Sequence, residues 1–199
     1  MDQQPSSTSR AAADHPTPPD PHQRPAQRPE LLHLEDLAQF AAQLDRQLGQ
    51  CRRYGLRATV LLVTIDPQSD AGDELPTPGI LQALLLAIGA RLLARVRSSD
   101  VVAQVGERRF GLVLMNAGRI EADVVRARLH KALCGPYGVA EQRLYAALRM
   151  GAAVYRESGM TGSELVIAAE TAQRSADVSA AAAGGRVLVE RPTLAVVRP

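Results

Sequence analysis

The sequence predicts an α/β protein of the α+β kind, with a single mixed sheet flanked by helices. Three observations predict it. From about residue 34 to residue 190, helical apolar periodicity alternates with short apolar runs in the order αβαββαβαβ. Within Asp100–Met115 (DVVAQVGERRFGLVLM) two strand-like runs are separated only by a tight Gly-containing turn, so the sheet includes a hairpin. The run Leu56–Ile65 (LRATVLLVTI) is nearly all apolar, as for a strand covered on both faces.

Residues 1–30 are rich in Pro, Ser, Gln and Ala without an apolar period. Such a segment cannot bury enough surface to offset its ordering entropy, and disorder is expected. His15, His22 and His33 fall in or near it with no metal-ligand spacing. Leu34–Arg53 reads as a helix with Leu37, Phe40, Ala41, Leu44 and Leu48 on one face, ended by Tyr54-Gly55. The strand Leu56–Ile65 follows, then a loop, DPQSDAGDELPTPG. Ile80–Arg97 is the second helix, with Leu81, Leu84, Leu85, Ile88 and Leu92 inward. After the hairpin, Arg119–Leu133 is a third helix, using Ile120, Val124, Val125, Leu129 and Leu133. Leu144–Tyr155 is a strand, and Ser163–Ala182 a helix with Ser163 as its cap and Leu165, Ile167 and Ala168 apolar. Gly184-Gly185 and the strand Arg186–Glu190 close a five-stranded domain over residues 31–191, leaving 192–199 as a C-terminal tail.

Composition narrows the function classes. The chain is 46% hydrophobic but only 3% aromatic, so the core must be aliphatic. Of 23 basic residues only Lys131 is lysine, and the net charge is +2. That balance, with no basic stripe interleaved with aromatics, argues against a nucleic-acid binder. Cys51 and Cys134 are too few and too isolated for a disulfide framework or a zinc site, and fit free thiols in a reducing cytoplasm. No apolar signal core opens the chain, and Ile80–Val96 is interrupted by Gln82, Arg91 and Arg95, so no membrane span is expected. Tyr54, Tyr137, Tyr145 and Tyr155 read as packing residues with one wet edge, Arg91, Arg95 and Arg126 as solvated helix faces, and His130 as a helix-face residue without an evident partner.

Several fragments, taken in order, resemble the GGDEF domain, the bacterial diguanylate cyclase fold. CRRYGLRATVLLVTID is similar to the family's first helix end and first strand, which normally closes in Asp-Ile-Asp. ALLLAIGARLLARVRSSDVVAQVG resembles the second helix leading into the signature hairpin. RMGAAV resembles the strand usually written SIGVA, and SELVIAAETAQRSAD the last helix, usually ELLxxADxALYxAK. The likeness covers residues 34–190 and implies a mainly antiparallel, nucleotidyl cyclase-like sheet. In that family two GTP molecules meet across a dimer, and two divalent metals neutralise their phosphates. The resemblance places the metal-holding acids at Thr64 and Arg108, the next acidic position at Arg109, and the second signature glycine at Glu107. Only Gly106 and Phe110 remain of the signature, and Asp66 is the surviving acid of the first strand. The guanine-reading positions fall near Gly72 and on Gln82, and the phosphate-contacting lysine on Asp177. AGDEL at Ala71–Leu75 mimics the signature but lies in a Pro-flanked loop with no strand after it. One unit-charge pair about 4 Å apart is worth roughly 4 kcal/mol at an effective dielectric of 20, so arginine in place of a metal-binding carboxylate turns a large attraction into a comparable repulsion. No catalytic residues, no metal and no cofactor are therefore expected.

The resemblance also implies a second site, the family's inhibitory site for cyclic di-GMP. It is an Arg-x-x-Asp ending five residues before the signature, and Arg97-Ser98-Ser99-Asp100 stands there. Arg128 is at the offset of the arginine that completes it. Arginine forks suit a guanine edge or a phosphate, and aspartate can accept from guanine N–H groups. The bland alternative is that Asp100 caps the start of the strand and Arg97 serves the carbonyl end of the preceding helix. The pattern recurs at Arg174–Asp177, where no function is assigned. For Arg108 and Arg109 the alternatives are an anion or acidic-partner site and drift at an exposed turn. The expectation is an inactive cytoplasmic GGDEF-like protein that binds cyclic di-GMP as a regulatory ligand and acts on an unidentified protein partner, with room for a homodimer. The competing expectation is a nucleotide-independent scaffold. No sensor or phosphodiesterase segment is legible, so input is expected through the tail, a partner or the ligand.

Overall fold

A computed structural model describes residues 30–69 and 76–182. Ten elements follow in chain order: β1 (Leu31–Leu34), α1 (Leu37–Tyr54), β2 (Ala58–Ser69), α2 (Pro78–Leu93), β3 (Val101–Val105), β4 (Arg109–Met115), α3 (Arg119–Leu133), β5 (Tyr137–Val139), β6 (Gln142–Val154) and α4 (Gly162–Ala182). The strands form one six-stranded sheet in the order β1-β3-β4-β2-β6-β5. Only β1 and β3 run parallel; the other pairings are antiparallel. The expected mixed, mainly antiparallel sheet is present, with six strands rather than five. The expected strand Arg186–Glu190, both terminal tails, Gly72, the AGDEL loop and the side chain of Asp177 lie outside the described residues.

The central strand explains the core. β2 pairs with β4 on one side and β6 on the other, so alternate residues must be covered on both faces. Leu61, Val63 and Ile65 pack with α2 and α3 residues such as Leu84, Ile88, Leu129 and Leu133. Ala58, Val60 and Leu62 pack against Phe40, Leu44, Leu48 and Cys51 of α1 and Leu165 and Ala169 of α4. Gly151 lets α4 lie close on β6: an added Cβ would collide with Ala169 O and Gln173 N.

Several local expectations are corrected. Leu34 ends a strand, Leu31–Leu34, and does not start the first helix, because Asp36 caps that helix by accepting from Gln39 N at 2.8 Å. Thr161 rather than Ser163 caps α4: its Oγ1 accepts from Glu164 N at 3.2 Å while Glu164 Oε2 accepts from Thr161 N at 3.1 Å. On α3, Ile120 and Val124 are exposed, because they lie on the opposite side of the helix from Leu129. Ile167 of α4 is likewise exposed, and Val166 and Ala169 are buried instead. Tyr54 is exposed, whereas Tyr137 is fully buried. Arg91 is not a solvated face: its guanidinium stacks 3.8 Å over the Tyr137 ring and donates to Pro136 O at 2.7 Å.

Candidate functional site

The turn between β3 and β4 is Gly106, Glu107 and Arg108, with Gly106 at φ 67°. That left-handed conformation suits glycine. The tip is anchored twice, by Gly106 N to Leu34 O at 3.1 Å and by Ile65 N to Arg108 O at 2.9 Å. Cross-strand register then sets the chemistry. Thr64 of β2 faces Arg109 of β4 on one side and Arg149 of β6 on the other. One neutral hydroxyl thus stands between two guanidiniums. Each is held by an acid: Arg109 pairs with Glu170 of α4 at 3.0 Å, and Arg149 with Asp66 at 2.9 Å. Gln173 Nε2 donates to Thr64 Oγ1 at 3.1 Å and to Arg149 O at 2.6 Å, closing the row under α4. A cavity of ≈ 690 Å³ opens over it, lined by Thr64, Glu107, Arg108, Arg109 and Arg149 and by Glu35 and Asp36, which precede α1. Arg108 and Glu107 are exposed and make no ion pair among the described residues.

Arg97, Asp100 and Arg128 meet elsewhere, around a shallower cavity of ≈ 200 Å³ beside the β4–α3 connection. Asp100 is only 8% exposed, and its carboxylate is occupied by backbone. One oxygen accepts from Arg97 N at 2.9 Å and the other from Met115 N at 3.1 Å. These bonds tie the turn after α2 to the end of β4. Arg128 Nη2 donates to Arg95 O at 2.8 Å, leaving its other N–H groups available. The Arg97 side chain is exposed and has no partner among the described residues. Glu121 lines the same cavity; it is held below the usual carboxylate range by backbone N–H groups, its own and that of Gly118, and further by Arg57.

The sequence profile described as "Diguanylate cyclase, GGDEF domain" matches residues 30–180, well over half of the chain. The chain belongs to the GGDEF family. A curated relative is the bifunctional diguanylate cyclase/cyclic di-GMP phosphodiesterase MucR of Pseudomonas aeruginosa, 25% identical over 151 residues. That alignment covers 76% of this chain but only 21% of the relative. Among solved structures, the GGDEF domain of TpbB (YfiN) of Pseudomonas aeruginosa superposes with a TM-score of 0.63 at 23% identity, covering 73% of this chain and 86% of that one. A microbial GGDEF domain in an interaction with cyclic di-GMP superposes with a TM-score of 0.53 at 16% identity, covering 72% and 88%.

The larger cavity lies at the β3–β4 turn, Gly106–Arg108. Two divalent cations need clustered oxygen anions. Here Thr64, Arg108 and Arg109 offer a hydroxyl and two guanidiniums, and the first-strand carboxylate, Asp66, is bound to Arg149. The residues present do not fit such a pair of ions. Among the described residues no three His, Cys, Asp or Glu side chains converge as a metal ion requires. No helix among them is long and apolar enough to cross a membrane.

Of the residues named from sequence, Thr64, Arg108 and Arg109 line the larger cavity and Arg97, Asp100 and Arg128 the smaller, while Arg149, Glu170, Gln173, Glu35 and Asp36 were not named. Gln173 carried a signal, since it recurs on the apolar face with Leu165 and Ala169 and is only 7% exposed. Arg149 carried none, because its place opposite Thr64 depends on the pairing register of two strands distant in sequence. His130, expected to stand alone, has Cys134 Sγ at 3.6 Å from Nδ1, and burial raises the pKa of that thiol.

Proposed function

We propose that this chain is a catalytically silent GGDEF domain that binds cyclic di-GMP at Arg97, Asp100 and Arg128 and regulates a partner protein through that binding. The observation that supports it is a contrast between two cavities. In one, guanidiniums stand where phosphate-neutralising metals need anions. In the other, two arginines with free N–H groups flank a cavity beside a buried aspartate. The ligand class comes from the family, whose members named above make, degrade or bind cyclic di-GMP.

Two measurements test this together. Purified protein with GTP and magnesium or manganese should form no cyclic di-GMP; turnover would overturn the silent reading. Calorimetry should detect cyclic di-GMP binding, weakened at least about tenfold in Arg97→Ala, since a charge-assisted contact contributes about 1.5–3 kcal/mol. Absence of heat at millimolar ligand would overturn the receptor reading. It would leave a nucleotide-independent scaffold, which the exposed, unpaired Glu107 and Arg108 at the hairpin tip favour.

A further inference from the structure

The outer face of α3 carries two aliphatic side chains that its packing does not use. Ile120 is 77% exposed and Val124 63% exposed, one helical turn apart. At about 100° per residue they lie roughly opposite Leu129, which faces the core. Arg128 continues the same ridge by one more turn. β-branched residues are indifferent helix formers, so helix stability does not account for them. Both line the cavity that Arg97 and Arg128 also line. One wall of that cavity is therefore apolar and another cationic.

Asn116 forms its corner. It is exposed, sits at φ 54° between β4 and α3, and is pinned by its own N–H donating to Arg57 O at 2.9 Å. Its carboxamide offers a donor and an acceptor together. Asp100, by contrast, already accepts from two backbone N–H groups. A bare phosphate would use only the arginines. A ligand with a flat apolar ring, a polar ring edge and a phosphodiester would use the apolar, amide and cationic walls, with the phosphodiester on the arginine side away from Glu121.

We infer that Ile120, Val124 and Asn116 form the base-recognising half of this cavity. The purine face lies on the two aliphatic side chains, its edge meets the Asn116 carboxamide, and Arg97 and Arg128 take the phosphate. Asp100, beside its ligand contact, also holds the Arg97 turn against β4. This rests on the cyclic di-GMP reading above and adds which residues choose the base.

The test is calorimetry of the full chain with cyclic di-GMP and cyclic di-AMP, with thermal melts alongside. The variants are the Ile120→Ser/Val124→Ser pair, Asn116→Gly, which keeps the left-handed backbone accessible, Arg97→Ala, and Ile167→Ser as an exposed aliphatic control on α4. The expected result is at least a tenfold loss of cyclic di-GMP affinity in the paired variant at unchanged melting temperature. Asn116→Gly should shrink the preference for the guanine ligand several-fold, and Ile167→Ser should bind as wild type. If wild type binds and Arg97→Ala weakens it while the α3 and Asn116 variants bind as wild type, the base-recognising half is overturned and the receptor reading stands. If wild type binds neither dinucleotide, both fall.

Discussion

At single residues the fold sets chemistry that composition does not reveal. Tyr137 is 2% exposed and its hydroxyl donates to Leu133 O at 2.7 Å. Burial pushes its ionisation from the ordinary 10.0 up to about 12, against the pull of Arg91. The folded protein therefore keeps this proton at alkaline pH where the unfolded chain releases it. The contribution is whole below about pH 10 and is lost as pH rises through about 12. Urea midpoints measured on the alkaline side should fall more steeply for wild type than for Tyr137→Phe. At Asp100 the consequence is structural. Asp100→Asn keeps one acceptor and turns an amide donor toward the second backbone N–H, and should cost about 1–3 kcal/mol of stability. Arg97→Ala, at an exposed side chain, should stay within about 0.5 kcal/mol. Denaturant titration of the two variants separates positioning from ligand contact.

At the scale of elements, most helices and the long strands were legible because each carries its own periodicity. α1 buries Phe40, Ala41, Leu44 and Leu48 as the pattern required. β5 was not legible, for a reason in its turn. Ala140 and Glu141 connect β5 to β6 with φ of 47° and 63°. A two-residue hairpin of this geometry is normally signalled by Asn-Gly or Asp-Gly, and Ala-Glu gives no such sign. The strain is removable: Ala140→Asn with Glu141→Gly should stabilise the protein by about 1 kcal/mol or more, read as a raised urea midpoint. α3 failed differently. Its apolar residues occupy two opposed faces, and a list of apolar positions does not say which one meets the sheet.

Across the whole molecule, β2 contributes side chains to both cores, so neither face can open without exposing the other. Cys51, buried on the α1 and α4 side, should therefore become reactive to a thiol reagent at the same denaturant concentration at which helix signal is lost. The measurement belongs in a Cys134→Ser background, and Cys51 reacting well before the helices melt would refute a single cooperative unit.

The sequence by itself determined the family and the mixed sheet, because local pattern and residue order carry those. Only the tertiary structure decided that Arg149 stands across Thr64 from Arg109, that Glu170 and Asp66 hold those two guanidiniums, and that Ile120 and Val124 face outward beside Arg97. Strand register and helix rotation bring together residues distant along the chain. They are settled by which side chains can be buried at once, a condition no single segment contains.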